Sequence, residues 1–284
     1  MDKIPVRHIS TFQKEPDISE RFSIRDLHDL LAGKDMVQEL HRHDFFYVLA
    51  LKKGAGSHDI DFISYTVGDN SVFFMRPGQV HQLVLKAGST GYLLQFREEF
   101  YFPREKVSNQ LLRQAGNINH YELNADAFQK LLNTLTSIFN EYTGKQERYE
   151  DVIRANMGIL FIELVRQHSR ATPDNVTLYT QERLEAFLSL LETHVNKKQV
   201  AEYAAMLNLS TYQLNAITKA ALGKTCSELI NEHIILEAKR YLLATSNQIN
   251  QIAYYLGYED VSYFIRFFKK HMGHSPEAFR HNFK

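Results

Sequence analysis

The 284-residue sequence contains one cysteine, Cys226, and no long apolar run. A single cysteine excludes a disulfide framework and a thiolate zinc site. The longest apolar stretch, Phe45–Leu51, is about a third of the ~20 residues that a membrane-spanning helix needs. The first residues, Met1–Pro5, lack the charged and then apolar pattern of a signal peptide. We therefore expect a soluble, cytoplasmic protein.

The sequence also lacks net charge, because 33 Lys and Arg residues balance 33 Asp and Glu residues. This balance argues weakly against a nucleic-acid partner, since DNA-binding domains commonly carry a basic surface. Catalytic motifs are absent too: there is no nucleophile elbow and no phosphate-cradling glycine loop. We therefore expect that the protein is not an enzyme, and any argument for DNA must come from sequence pattern.

Up to about residue 100, short segments rich in aromatic and β-branched residues alternate with turn signals. This pattern predicts the strands of a small antiparallel barrel or sandwich. The segments are Phe45–Leu51, Asp59–Thr66, Ser71–Met75, Gln82–Leu85 and Gly91–Phe96.

From Asp126 the apolar spacing changes to three and four, which indicates amphipathic helices. The first stripe runs from Phe128 to Tyr142, and a second comprises Val152, Ala155, Ile159, Ile162 and Val165. Such helices either cover the side of the barrel or pair with a second copy of the chain. We predict an α+β protein with a β-barrel and flanking helices over residues 1–168, a linker over 169–180 and an all-α domain over 181–284.

The residues from Ile252 to Phe268 have the pattern of a helix-turn-helix unit. Ala253 is small enough for two helices to cross closely, and Gly257 can take the left-handed conformation that ends the first helix. Asp260 is a good N-cap for the second helix. Three phenylalanines, Phe264, Phe267 and Phe268, are its expected buried anchors.

The same pattern occurs about 49 residues earlier. Ala204 stands at the crossing, Asn208 at the left-handed turn and Ser210 at the cap, and Leu214 and Ile217 are the anchors. A doubled pattern is much less expected by chance than a single one. The helical pattern between the two units, Ser227–Ala244, is about 27 Å long, comparable with the ~34 Å between successive major grooves.

The residues left to face outward on the two second helices are chemically suited to DNA. Gln and Asn can pair with adenine, Arg with guanine, and Lys with phosphate. The expected DNA-binding residues are Thr211, Tyr212, Gln213, Asn215, Lys219, Val261, Ser262, Tyr263, Arg266, Lys269 and Lys270.

Several segments of the C-terminal domain resemble the signature of the AraC/XylS family of bacterial transcription regulators. The resemblance lies in Ile252–Ala253, Leu256–Tyr258, Ser262–Phe264, Phe267–Lys270 and Gly273–Arg280. Upstream, Leu236–Leu243 is similar to the family's connecting helix, and the match covers roughly residues 182–284. It implies that two recognition helices enter successive major grooves. Many members carry Arg directly after the position of Asn215, where this chain has Ala216.

Members of this family usually carry a variable N-terminal sensor, often a cupin-like barrel, and residues 36–97 resemble one. His41–His43 and Pro77–His81 match two short cupin motifs in outline. Where enzymatic cupins place a glutamate, this chain has Tyr47 and Val48. We therefore expect His41, His43, Tyr47 and His81 to bind a small-molecule effector without a metal or other cofactor, and we expect His58 to lie on the surface.

Together these patterns and the family resemblance imply a sequence-specific transcription regulator, which we expect to form a homodimer. An effector in the barrel would change its DNA affinity or its contact with RNA polymerase. One alternative is a metal-dependent cupin enzyme fused to a DNA-binding module. Another is a constitutive DNA-binding dimer whose barrel serves only for dimerisation.

Overall fold

The computed structural model describes residues 3–9, 20–101, 106–168 and 178–283. The chain divides into two compact units, one within residues 5–171 and the other within residues 172–284. The predicted linker over 169–180 lies mostly outside the described residues. No described helix is both long enough and apolar enough to cross a membrane.

The N-terminal unit contains ten strands and five helices among the described residues. The strands are β1 (Val6–Arg7), β2 (Phe22–Asp26), β3 (Met36–His43), β4 (Phe46–Lys53), β5 (Gly56–Ile60), β6 (Ile63–Val67), β7 (Ser71–Met75), β8 (Val80–Leu85), β9 (Thr90–Phe96) and β10 (His120–Glu122). The helices are α1 (Leu27–Leu31), α2 (Glu98–Tyr101), α3 (Lys106–Gly116), α4 (Ala125–Gly144) and α5 (Tyr149–His168).

The ten strands form two five-stranded sheets, in the orders β1-β3-β8-β5-β6 and β10-β7-β4-β9-β2. Among the described residues, no strand of one sheet is hydrogen-bonded to a strand of the other. The cupin-like α+β architecture is therefore confirmed, and its N-terminal part is a two-sheet, jelly-roll-like fold rather than a closed barrel.

The second sheet is buried on both faces, which explains the unbroken apolar run in β4. Alternate side chains of a strand point to opposite faces. Val48 packs with the helices in one core, whereas Tyr47 and Leu49 belong to the core shared with the other sheet. A strand covered on both sides is apolar at every position, so its sequence does not alternate.

Two details of the predicted elements were wrong. The segment Asp59–Thr66 is a hairpin rather than one strand, because Asp61 and Phe62 have φ of 47° and 69° and form its turn. Helix α5 buries Ile153, Met157, Leu160, Phe161 and Leu164, and of the predicted stripe only Val165 packs against this core. Val152, Ile159 and Ile162 of that stripe are 39%, 49% and 40% exposed.

The C-terminal unit is helical throughout its described residues, as predicted. Its helices are α6 (Leu178–Thr193), α7 (Val200–Met206), α8 (Thr211–Leu222), α9 (Cys226–Ala244), α10 (Ile249–Tyr255), α11 (Val261–Met272) and α12 (Pro276–Phe283). Helices α7 and α8 form one helix-turn-helix unit, α10 and α11 form the other, and α9 joins them.

The local signals for both units are confirmed. Asn208 and Gly257 have φ of 53° and 78°, so both turns are left-handed. The side chain of Ser210 accepts a hydrogen bond from the Gln213 amide, and that of Asp260 accepts one from the Ser262 amide. In each unit, the left-handed residue therefore ends the first helix, and an N-cap residue two or three positions later begins the second.

Candidate DNA interface and histidine cluster

Helix α11 exposes most of the residues expected to contact DNA. Ser262, Tyr263, Arg266, Lys269 and Lys270 are exposed, and Val261 is half-buried. On the other face, Phe264 and Phe268 are fully buried. The third expected anchor, Phe267, is only half-buried, and its ring lies 5.6 Å from that of Tyr258. The helix therefore presents a polar and basic face away from its core.

Helix α8 presents a smaller free surface than its sequence indicates. Tyr212 is 82% exposed, and Thr211 and Lys219 are exposed as well. The Gln213 amide oxygen, however, accepts a hydrogen bond from the backbone of Ser210. The amide of Asn215 is engaged at both ends, because its oxygen accepts from the Cys226 backbone at 3.0 Å and its nitrogen donates to the Thr211 carbonyl.

The turn of the second unit is held against the segment that precedes α7. A Cβ on Gly257 would lie 2.4 Å from the Asn196 carbonyl oxygen, so the two backbones touch there. The Lys198 ammonium donates to the Gly257 carbonyl and lies 4.1 Å from the centre of the Tyr258 ring. Sequence reasoning missed this junction, since residues about 60 apart form it.

In the N-terminal unit, adjacent strands bring together four histidines. β8 lies between β3 and β5, and His41 of β3 is the register partner of His81 of β8. His43 lies two residues after His41 and therefore shares its face. All four rings, including that of His58 on β5, are buried. The expectation that His58 is a surface residue was wrong, because β5 was not recognised as a separate strand whose alternate positions His58 and Ile60 point inward.

The imidazoles contact each other directly. The Nε2 atoms of His43 and His41 lie 2.8 and 3.1 Å from Nε2 of His81. The His81 Nδ1 atom lies 2.8 Å from Nε2 of His58, and the His41 Nδ1 atom lies 2.6 Å from the Glu39 carbonyl oxygen. We name these four residues, His41, His43, His58 and His81, the histidine cluster.

Burial favours the neutral form of all four rings in the cluster. Loss of solvation, followed by repulsion from neighbouring imidazoles, lowers the pKa of His43 from 6.5 to about 3 and that of His81 well below its ordinary value. Burial likewise lowers the pKa of His58 to about 3 and also lowers that of His41. Neutral imidazoles retain a lone pair, so they can accept hydrogen bonds or bind a metal.

Tyr47 lies beside the cluster, as its place in the sequence predicts. Its ring stacks on that of His43, with centroids 5.3 Å apart and planes 11° apart. Its hydroxyl is buried and has no hydrogen-bond partner among the described residues. Burial raises the pKa of this phenol, so the hydroxyl keeps its proton. The structure thus brings His41, His43, Tyr47 and His81 together and adds His58.

Comparison with known proteins gives matches in both units. Residues 33–150 match the model of an AraC-like ligand binding domain, and residues 203–282 match that of a helix-turn-helix domain. The HTH-type transcriptional activator RhaS of Klebsiella pneumoniae (strain 342) is 26% identical over 244 residues, which cover 84% of this chain and 86% of that protein. RhaS of Pectobacterium atrosepticum is also 26% identical, over 85% of this chain and 87% of that protein. The crystal structure of ToxT from Vibrio cholerae O395 covers 93% of this chain and 98% of its own, with 14% identity and a TM-score of 0.40.

Proposed function

The chain belongs to the AraC/XylS family of bacterial transcription regulators, and from this premise we propose which of its residues read DNA. Sequence-specific DNA binding and a ligand-binding domain characterise the family. We assign base reading on α11 to Arg266, Tyr263 and Ser262, with Val261 beside them. Lys269 and Lys270 would hold phosphates.

The observation that carries this proposal is that the helix-turn-helix unit occurs twice, each time with an N-capped second helix whose outer face is exposed. On α8 we assign the contacts to Tyr212, Thr211 and Lys219, with smaller contributions from Gln213 and Asn215. The reason is that the Gln213 amide oxygen and both ends of the Asn215 amide are already hydrogen-bonded within the protein. Arg266 is the strongest single candidate, because an exposed guanidinium can pair with both acceptors of a guanine edge.

The test is selection of bound duplexes from a random library with the full-length protein, followed by affinity measurements. We expect one enriched sequence and an affinity that falls steeply as salt rises. Arg266→Ala should weaken binding to that sequence by about 1–3 kcal/mol while leaving binding to random DNA nearly unchanged.

Lys270→Ala is the matched control on the same helix. A phosphate contact carries no sequence information, so this change should weaken binding to selected and random DNA alike and reduce the salt slope by about 1. Failure to enrich any sequence at moderate salt would contradict the proposal. Equal weakening of both DNAs by Arg266→Ala would reassign that residue to phosphate.

We propose that the N-terminal unit senses a small effector at the site where His41, His43, Tyr47 and His81 meet. An effector that binds one arrangement of the protein better than another shifts the population toward it. The consequence would be altered DNA affinity or altered contact with RNA polymerase. We assign the protein no enzymatic role and place its action in the cytoplasm, where the bacterial chromosome lies.

We further propose a homodimer that uses the exposed apolar side of α5. Ile159→Glu should raise the dimer dissociation constant by about 100-fold, since leaving a buried charge without a partner costs about 3 kcal/mol or more. Analytical ultracentrifugation measures this directly. Ile63→Glu is the matched control, because Ile63 is 57% exposed in the same unit but lies on β6. A dimer unaffected by Ile159→Glu, or a wild-type monomer at micromolar concentration, would contradict the assignment.

A further inference from the structure

The histidine cluster places three ring nitrogens around one point. The Nε2 atoms of His43 and His41 lie 2.8 and 3.1 Å from that of His81. One ligand nitrogen from each of these residues lies within 4.8 Å of the others. Nitrogen ligands at about 2.0–2.1 Å from a tetrahedral zinc ion stand about 3.3 Å apart. The spacing is therefore close to that required by a single ion.

The proton positions also leave the centre of the cluster rich in lone pairs. A carbonyl only accepts, so the His41 Nδ1 atom that faces the Glu39 carbonyl carries the proton, and its Nε2 atom is bare. His43 and His81 cannot both be protonated at Nε2, because two N–H groups would then meet at 2.8 Å. At most one proton then lies among the three nitrogens, so at least two bare acceptors face each other among buried rings.

Two further groups hold these rings in the orientation that a metal needs. The Glu39 carbonyl fixes His41, and the His58 Nε2 atom lies 2.8 Å from Nδ1 of His81. When His58 accepts the Nδ1 proton of His81, the lone pair of His81 points to the centre. Metal-binding histidines in proteins almost always have such an outer partner, which sets the tautomer and the ring angle.

We propose that His41, His43 and His81 bind one divalent transition-metal ion through their Nε2 atoms, and that His58 is a positioning residue for His81. Three imidazoles suit zinc or a neighbouring transition metal, whereas calcium and magnesium prefer oxygen ligands. Three protein ligands leave a fourth position open on a tetrahedral ion. The missing carboxylate makes a metal-free pocket the expectation from the sequence, whereas the separations of 2.8 and 3.1 Å between the Nε2 atoms favour a single ion held by the three rings.

The metal would be a ligand of the proposed sensing site. Only its expected influence on DNA affinity rests on the proposed sensing function. The open coordination position would accept water or one atom of an effector. Metal binding itself depends only on the cluster. The two ideas can therefore fail separately.

The test uses the full-length protein without an affinity tag, freed of metal and dialysed to equilibrium against Zn²⁺, with the bound metal measured by elemental analysis. We expect one equivalent in the wild type and none at the same free zinc concentration in His81→Ala. His120→Ala is the control, because His120 is a half-buried histidine of the same unit outside the cluster. Co²⁺ loaded into the wild type should give the visible bands of a tetrahedral ion, a readout that does not depend on whether a variant folds.

His58 is tested by affinity. His58→Ala should weaken zinc binding by about 10–100-fold, the usual effect of removing an outer partner. His58→Gln should recover most of the affinity, since its amide oxygen can accept the same proton from His81. A purely structural role for His58 predicts no such recovery.

Wild-type protein that takes up no Zn²⁺, or that takes up as much as His81→Ala, would overturn the metal site while leaving the DNA-binding proposal intact. Stoichiometric zinc with identical DNA affinity in the loaded and metal-free protein would keep the site and overturn its sensing role.

Discussion

Gly257→Ala is expected to destabilise the C-terminal unit by about 2–5 kcal/mol, through left-handed strain of about 1–2 kcal/mol and overpacking of about 1–3 kcal/mol. The glycine has φ of 78°, and the added Cβ would lie 2.4 Å from the Asn196 carbonyl oxygen. Neither backbone can retreat easily, because the contact joins the turn of the second helix-turn-helix unit to the segment before the first. The loss should therefore weaken DNA binding as well as stability.

Gly273 provides a control in which only the strain is present. Its φ is also 78°, but an added Cβ there would meet nothing within 4 Å. Gly273→Ala should therefore cost only about 1–2 kcal/mol. Hydrogen exchange of the full-length protein, read at the amides of α10 and α11, measures both losses in the unit concerned. Equal losses at the two glycines would show that the Asn196 contact has no energetic weight.

Phe264→Ala should cost about 3–5 kcal/mol, the range found when a large buried aromatic side chain is removed from a core. The Phe264 ring is fully buried, and it lies 5.3 Å from Tyr258 and 6.0 Å from Phe268. Its removal leaves a cavity beneath the recognition helix. We expect α11 to lose exchange protection and DNA affinity together.

Phe267→Ala is the matched change, three residues away on the same helix. Phe267 is only half-buried, so its truncation should cost about 1–2 kcal/mol, part of the transfer free energy of a buried aromatic side chain. The same exchange experiment separates the two variants. If Phe267→Ala proved as damaging as Phe264→Ala, the half-buried ring would be an anchor after all, as the sequence pattern predicts.

The parts of the protein that could be predicted are those specified within a few residues. Asn208, Ser210, Gly257 and Asp260 act through their own backbone angles or through hydrogen bonds two or three positions away. Such effects are independent of the rest of the chain, so the sequence places both helix-turn-helix units and the helix between them. Strands with clear turn signals, such as Ser71–Met75, were predicted for the same reason.

The buried face of a helix and the distant contacts of a side chain were harder to predict. Helix α5 is apolar on two sides, and periodicity alone does not say which side packs on the sheet. Asn215 was expected to be free, but its amide caps the start of α9. That capping depends on how α8 and α9 meet, and the sequence around Asn215 contains no sign of it.

The sequence by itself therefore determined that this protein has a double helix-turn-helix unit preceded by a unit of short strands and amphipathic helices, because caps, turns and apolar periods are local properties of the chain. Only the tertiary structure decided that His58 joins His41, His43 and His81, and that Gly257 rests on Asn196. These contacts arise from strand order, register and helix packing between residues about 20 to 60 positions apart. Such arrangements depend on how the whole unit buries its apolar surface, and no short stretch of sequence encodes them.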